Sequence, residues 1–121
     1  MNLDKEKKII NKLLEKSRKS EIHWSVREDI FTPSYFVSLG SGQIEFSISN
    51  NEPENSNYAD FIIFNELEES ISEHRFLSTE NQEEFKNLCS LEELVQRYIK
   101  GVDETLDACL NELDKEGIVG G

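Results

Sequence analysis

The residues best suited to chemistry in this chain are two histidines, two cysteines and a large number of carboxylates. Asp103 and Asp107 lie four residues apart, a spacing that puts both carboxylates on one face of a helix, where they could share a cation or transfer a proton. The chain has 25 acidic residues, so pairs at this spacing also arise by chance, and spacing alone does not indicate a shifted pKa. We therefore interpret the pair as part of a solvated helix face.

Metal binding and nucleophilic catalysis both require side chains that converge. His23 and His74 are far apart in the sequence, and neither Cys89 nor Cys109 has a second ligand at the spacing of a zinc site. No GxSxG pattern frames a serine, and the GSG of residues 40–42 lacks the lysine of a phosphate-binding loop. The sequence therefore predicts no metal, no cofactor and no enzymatic activity, and it predicts reduced cysteines that pack as small apolar residues.

The balance of charge narrows the classes of partner. The chain carries 13 Lys and Arg against 25 Asp and Glu, a net charge of −12. Residues 1–20 hold seven of the bases and three of the acids, a charge of +4, so the rest of the chain carries −16. An acidic body repels phosphate backbones and anionic lipid, and the sequence contains neither a secretory apolar core nor the roughly 20 apolar residues of a membrane span. We expect no nucleic-acid partner, no membrane partner and a cytoplasmic location.

The spacing of apolar residues predicts the elements that position these groups. In residues 1–20, leucines and isoleucines recur every three or four residues with lysines on the other side, which predicts a basic amphipathic helix. In residues 21–77 the period changes to two, as in strands with one buried face, and Trp24 falls on the buried side. The glycines of residues 40–42 predict a hairpin turn. The apolar run of residues 61–64 predicts a strand that is covered on both faces.

Residues 78–116 return to helical spacing. Capping-box patterns at Thr79 and Ser90 predict two helices, over about 80–89 and about 91–115, with one continuous helix as the alternative. Gly101 is expected to be a weak point or a position of close packing. The residues expected to form the apolar face of these helices are Phe85, Leu88, Leu94, Val95, Tyr98, Val102, Leu106, Cys109, Leu110 and Leu113.

Taken in order, these elements predict an α+β fold. We expect an antiparallel β-meander of about five strands with an N-terminal helix and one or two C-terminal helices packed on it. The length fits a single domain over residues 1–121, with residues 117–121 as a tail.

Two resemblances follow from stretches of the sequence. The segment LLEKSRKSEIHW, followed by the meander and by LEELVQRYIKGVDETLDACLNEL, resembles a diffuse set of small, mostly uncharacterised bacterial proteins, in which a helix ends just before a strand with an inward tryptophan. That resemblance implies no activity and transfers no functional residue. The final Gly120 and Gly121 resemble the diglycine tail of ubiquitin-like and sulfur-carrier proteins, but those families place a strand before the tail and a helix is expected here.

The leading functional hypothesis is a non-enzymatic protein-binding module, such as an inhibitor, an immunity protein or an accessory factor of a mobile element or defence locus. A small acidic body can dock rapidly on a basic protein surface through electrostatic steering. Acidic positions on the C-terminal helices are the first candidates for the interface, and the loop of residues 52–57 is the second. The predicted partner-binding residues are Glu92, Glu93, Asp103, Glu104, Asp107, Glu52 and Glu54.

A small-molecule sensor is the alternative hypothesis. Its pocket would lie between the sheet and the helices and would be lined by Trp24, Tyr35 and Tyr98, although aromatic residues at this spacing are more often core. A homodimer is a further expectation, because a strand that is apolar on both faces over residues 61–64 needs cover on both sides.

Overall fold

The predicted α+β architecture is confirmed by a computed structural model, which describes residues 3–28, 32–50 and 57–120. An N-terminal helix and two C-terminal helices accompany a five-stranded antiparallel meander. The elements are α1 (Asp4–Arg18), β1 (Ser25–Arg27), β2 (Ser34–Leu39), β3 (Gly42–Ser49), β4 (Tyr58–Asn65), β5 (Ser70–Leu77), α2 (Gln82–Lys100) and α3 (Val102–Leu113). Within the described ranges, no helix has both the length and the hydropathy needed to cross a membrane.

The five strands pair in sequence order, so each one is hydrogen-bonded to the strand before it. The GSG hairpin is confirmed, since β2 and β3 meet where Leu39 pairs with Gly42. Gly42 also lies opposite β4, and a Cβ atom there would collide with the carbonyl oxygen of Phe64. Glycine at this position therefore permits the close approach of the central strands.

One face of the sheet packs against the helices and forms the core. Leu88, Leu91 and Val95 of α2 are completely buried and recur at helical spacing, so a single stripe of α2 lies on the sheet. The inward orientation predicted for Trp24 is confirmed: its ring packs edge-on against Phe46, with centroids 5.5 Å apart. The core is built by Ile10, Leu13, Leu14, Trp24, Tyr35, Val37, Ile44, Phe46, Ile48, Ala59, Phe61, Phe76, Leu88, Leu91 and Val95.

The outer face of the sheet, opposite the helices, carries the remaining apolar side chains of β4. Phe61 is fully buried on the core side, whereas Ile62 and Phe64 alternate onto the outer face and are half-buried. The apolar character of both faces of β4 is therefore as the sequence indicates.

Arginine side chains cover part of this outer face. Arg75 donates to both carboxylate oxygens of Asp60, at 2.8 and 3.1 Å, and its guanidinium lies 3.9 Å from the centre of the Tyr58 ring. Arg27 lies over Phe36 in the same way, 5.1 Å from the ring centre. Stacked arginines keep apolar surface from water while their charges stay solvated, so one chain supplies part of the cover that the sequence led us to expect from a second copy.

The division of the C-terminal helices differs from the expected one. The structure continues α2 through Ser90 and breaks it at Gly101 instead. Leu88 and Leu91 are both fully buried, so the apolar stripe runs unbroken past Ser90, and core packing outweighs the capping pattern there. Gly101 adopts the left-handed conformation, with φ 62° and ψ 36°, which ends α2 as glycine commonly ends helices.

Candidate functional site

The helix α3 presents an apolar stripe to solvent. Every residue of α3 is described and none is buried. Leu106, Leu110 and Leu113 are 52%, 59% and 65% exposed. By contrast, Leu88 and Leu91 of α2 are completely buried. The sequence correctly predicted that these residues share one face, but it placed that face against the sheet. We call Leu106, Cys109, Leu110 and Leu113 the α3 stripe.

Acidic residues flank this stripe. From Val102 to Leu113 the helix contains four acids and no base, a charge of −4. Helical spacing places Asp103 and Asp107 along one border of the stripe and Glu112 along the other, with Glu104 on the far side of the helix. Of the acidic residues predicted on this helix, Asp103 and Asp107 therefore border the stripe, whereas Glu104 lies on the opposite side of the helix.

The joint between α2 and α3 has a defined geometry. Gly101 ends α2 through hydrogen bonds from its N–H to the carbonyls of Arg97 and Tyr98, and its own carbonyl accepts the first helical bond of α3, from Thr105 at 3.0 Å. Arg97 then donates across the joint to Asp103 at 2.7 Å. At this joint α3 turns away from the line of α2, with its stripe off the sheet.

The two acidic residues predicted on α2, Glu92 and Glu93, differ in exposure. Glu93 is exposed, but Glu92 is only half-exposed, and burial raises the pKa of the Glu92 carboxyl while a hydrogen bond with Tyr35 opposes the shift. Glu92 therefore belongs to the border of the core. Glu52 and Glu54, the remaining predicted partner-binding residues, lie outside the described residues.

A groove of about 590 Å³ runs between α1 and the β2–β3 hairpin. Its walls are mainly apolar: Ile9 and Leu13 come from α1, and Val37, Leu39 and Ile44 come from the hairpin. The hairpin wall is partly open to solvent at Leu39, which is among the exposed large apolar side chains. The groove therefore offers apolar surface that the chain itself leaves accessible.

Lysines border this groove on the α1 side. Lys8, Lys12 and Lys16 all line it, and their spacing of four residues places them in one row along the helix. Lys12 and Lys16 lie 3.5 and 3.4 Å from Glu15 and Glu21. Because these ion pairs are exposed, they hold the lysines only weakly. We call this feature the basic groove.

The basic groove begins next to the end of α2. His23 lines the groove, and its Nδ1 is 2.8 Å from the hydroxyl of Tyr98. Tyr98 lies three residues before the joint at Gly101. The helix α3 therefore leaves the body close to the groove, although no residue of α3 is among the described residues that line it.

The three residues of the predicted ligand pocket are distributed over different environments. Trp24 is buried, and its Nε1 donates to Ser17 at 2.9 Å. Tyr35 is also buried, and its hydroxyl accepts a hydrogen bond from Gln96 at 3.0 Å. Tyr98 is instead 38% exposed and borders the basic groove only through His23. The two buried rings belong to the core and do not line the groove.

One cluster combines a serine, a histidine and a carboxylate. The Oε1 atom of Glu6 lies 3.4 Å from the Ser72 hydroxyl, which donates to it, and 3.8 Å from Nε2 of His74. A catalytic triad requires the histidine to accept the proton of the hydroxyl and the carboxylate to orient the histidine. Here the hydroxyl donates to the carboxylate instead, so the cluster is a set of polar contacts that links α1 to β5.

The histidines, cysteines and carboxylates considered as metal ligands do not converge in the described part of the chain. Among residues 3–28, 32–50 and 57–120, no three His, Cys, Asp or Glu side chains converge as a metal site would require. Cys89 and Cys109 are free thiols; Cys89 is half-buried and Cys109 is exposed. Burial also raises the pKa of the Cys89 thiol, with a further contribution from Glu92.

The sequence did not single out the row of lysines as part of a candidate site. Their regular spacing is visible in the sequence, but it is equally typical of the wet side of any amphipathic helix. The apolar half of the groove comes from Val37, Leu39 and Ile44, which only the folded hairpin brings beside α1.

Comparisons with known proteins add no functional information. The chain matches no protein-family model, no curated protein and no solved structure.

Proposed function

We propose that this chain is a non-enzymatic protein-binding module that uses α3 to engage its partner. The observation that carries the proposal is the exposure of Leu106, Leu110 and Leu113 on a helix that the body does not cover. Contiguous exposed apolar surface with a polar border is typical of protein interaction sites. The class includes inhibitors, immunity proteins and accessory factors.

The length of α3 supports the same proposal. The helix has 12 residues, and isolated helices shorter than about 12–15 residues are marginal in water. Helices of this length normally gain stability by burying an apolar face, and α3 buries none of its residues in its own chain. A partner that covers the α3 stripe would supply that burial.

The chemistry of α3 specifies the surface that it fits. Three or four apolar side chains in a row require an apolar groove, as in other complexes in which an amphipathic helix binds a groove. The acids along the border, Asp103, Asp107 and Glu112, favour lysines or arginines at the rim of that groove. Association should therefore weaken as salt increases.

Capture with matched variants tests this proposal. The tagged chain is immobilised in lysate of its source cells at low and at moderate salt, and bound proteins are identified by mass spectrometry. The test variant replaces the leucines of the α3 stripe by alanine (L106A, L110A and L113A). The control variant replaces Leu67 and Ile71 by alanine; these residues are 79% and 64% exposed and lie around the β4–β5 turn.

The proposal predicts a stoichiometric protein that salt weakens, that the test variant loses and that the control variant retains. A photo-crosslinker on Cys109 should label the same protein, because Cys109 lies within the stripe. If the test variant binds the same proteins as the unmodified chain, α3 is not the binding element and the proposal is wrong.

The basic groove favours a second candidate function, the binding of a small molecule. An apolar trough with lysines at its edge suits an amphipathic anion such as a long-chain carboxylate. A rise in melting temperature with a series of long-chain carboxylates, lost when Lys8 and Lys12 are replaced by glutamine, would support this function. An unchanged melting temperature across the series would exclude that ligand class.

A further inference from the structure

We propose that the partner of α3 is a second copy of this chain, and that the basic groove of each copy receives the α3 helix of the other. This inference rests on the proposed function, because it names the partner of the same helix. It is carried by the complementarity of two surfaces in one molecule, the acidic apolar helix α3 and the apolar groove with a basic border.

The apolar parts of the two surfaces match in length. At 1.5 Å per residue, the stripe from Leu106 to Leu113 is about 10 Å long, and the row from Lys8 to Lys16 is about 12 Å long. The groove that this row borders has a volume of about 590 Å³. That volume can accept the few leucine side chains of the α3 stripe.

The charges match in sign and in spacing. Asp103 and Asp107 are separated by four residues, as are Lys8 and Lys12, so each pair places its charges about 6 Å apart. Lys8 has no ion-pair partner among the described residues. The acids of a docked α3 would therefore meet a row of lysines that its own chain neutralises only weakly.

The position of the joint makes reciprocal exchange possible. The contact between Tyr98 and His23 places the end of α2 beside the groove, and the left-handed Gly101 turns α3 away from the line of α2. Two copies related by a two-fold axis could then each place α3 in the groove of the other. In such a dimer each α3 helix lies in a groove and each groove holds a helix, so neither surface remains free to bind a third copy.

The first experiment measures the mass of the purified chain by sedimentation across a range of concentrations. The inference predicts a monomer–dimer equilibrium. Replacing Leu110 by alanine should weaken the dimer about 20- to 300-fold, since the exposed part of this leucine is buried twice in the dimer.

Charge reversal then identifies the two surfaces. One variant carries K8E and K12E in the groove, and another carries D107K and E112K on α3. Each variant alone pairs like charges and should be monomeric. The two substitutions on α3 raise its charge from −4 to 0. An equimolar mixture should form a heterodimer, because D107K of one variant meets K8E and K12E of the other and the reverse pair keeps its native charges.

The control variant, K5E with K19E, reverses two exposed charges on or beside α1 that do not line the groove. It gives the chain the same net charge, −16, as K8E with K12E, and it should still dimerise because the groove and α3 keep their charges. Circular dichroism of every variant establishes that it has folded.

Several outcomes would overturn the inference. A monomer at all concentrations, with a Cys109 crosslink to another protein, would refute the second copy as partner while the proposed function stands. A monomer with no crosslink would refute both. A dimer that none of the variants affects would indicate another interface, such as the outer face of the sheet. A long-chain carboxylate retained by the monomer in native mass spectrometry would assign the groove to a ligand.

Discussion

Replacement of Leu110 by alanine distinguishes an α3 helix that stands free of its own sheet from one that packs on it. Leu110 is 59% exposed, whereas Leu91 of α2 is 0% exposed. The substitutions L110A and L91A remove the same atoms from two helices of one chain. Their effects on stability therefore differ only through what surrounds each leucine.

The structure sets the size of each effect. Leucine-to-alanine changes in a core cost about 2–5 kcal/mol, and we expect this for L91A. Complete burial of a leucine contributes about 1.5–3 kcal/mol, so the buried two fifths of Leu110 contribute about 0.6–1.2 kcal/mol. The higher helix propensity of alanine returns a few tenths of a kcal/mol of this. L110A should therefore destabilise the monomer by less than about 1 kcal/mol.

Dimerisation changes the cost of L110A at high protein concentration. If docking buries the remaining three fifths of the side chain, each helix loses about 0.9–1.8 kcal/mol in the variant, and a reciprocal dimer loses twice as much. At 1.4 kcal/mol per factor of ten, this loss weakens the dimer about 20- to 300-fold. The unmodified chain should gain stability with concentration by mass action, and L110A should gain less.

Urea unfolding monitored by the fluorescence of Trp24, the only tryptophan, measures both effects. The titration is run well below and well above the dissociation constant of the dimer. A loss for L110A at low concentration that equals the loss for L91A would refute the reasoning, because it would show that α3 packs on its own body in solution.

Three further predictions concern single residues. Because burial raises the pKa of Glu92 in the folded state, its ionisation opposes folding at neutral pH; E92Q should raise the free energy of unfolding there, with the gain vanishing as pH falls until the carboxyl is protonated in both states, and a gain that does not depend on pH would contradict this reasoning. Cys109 should react with a thiol reagent at neutral pH faster than Cys89, whose thiol is half-buried with a raised pKa, and the reverse order by mass spectrometry would contradict the placement of α3. Replacing Gly101 by alanine should cost about 1–2 kcal/mol in urea unfolding, because the left-handed conformation strains any residue with a Cβ; an unchanged midpoint would mean that the joint differs in solution.

Local patterns predicted most of the fold. The alternation around Trp24 correctly predicted an inward ring, because a strand with one buried face exposes every second residue. The GSG hairpin followed from the conformational freedom of glycine. These features depend on neighbouring residues, so sequence spacing is sufficient to find them.

The position of the break between the C-terminal helices depends on two competing effects, the capping pattern at Ser90 and the packing of α2 on the sheet. The pattern at Ser90 is a sound capping signal, but Leu88 and Leu91 carry the buried stripe across it. The energy of packing on the sheet exceeds that of one cap. Only the position of the sheet decides between Ser90 and Gly101 as the break.

The candidate site was only half visible in the sequence. Spacing shows that Leu106, Leu110 and Leu113 share a face, but an amphipathic pattern does not state which surface covers that face. The basic groove requires Leu39 to lie beside α1, and this proximity exists only in the fold. The acidic residues were correctly located on the helices, yet burial of Glu92 against the core depends on Tyr35, which is distant in the sequence.

The central claim is that the α3 stripe binds in the basic groove of another copy. The most direct measurement places a photo-crosslinker on Cys109 in a chain with Cys89 replaced by alanine, and irradiates an equimolar mixture of isotope-labelled and unlabelled protein. We predict crosslinks between labelled and unlabelled copies, with attachment points along Lys8–Lys16 and near Leu39. Crosslinks confined to single copies, or placed away from the groove, would contradict the claim.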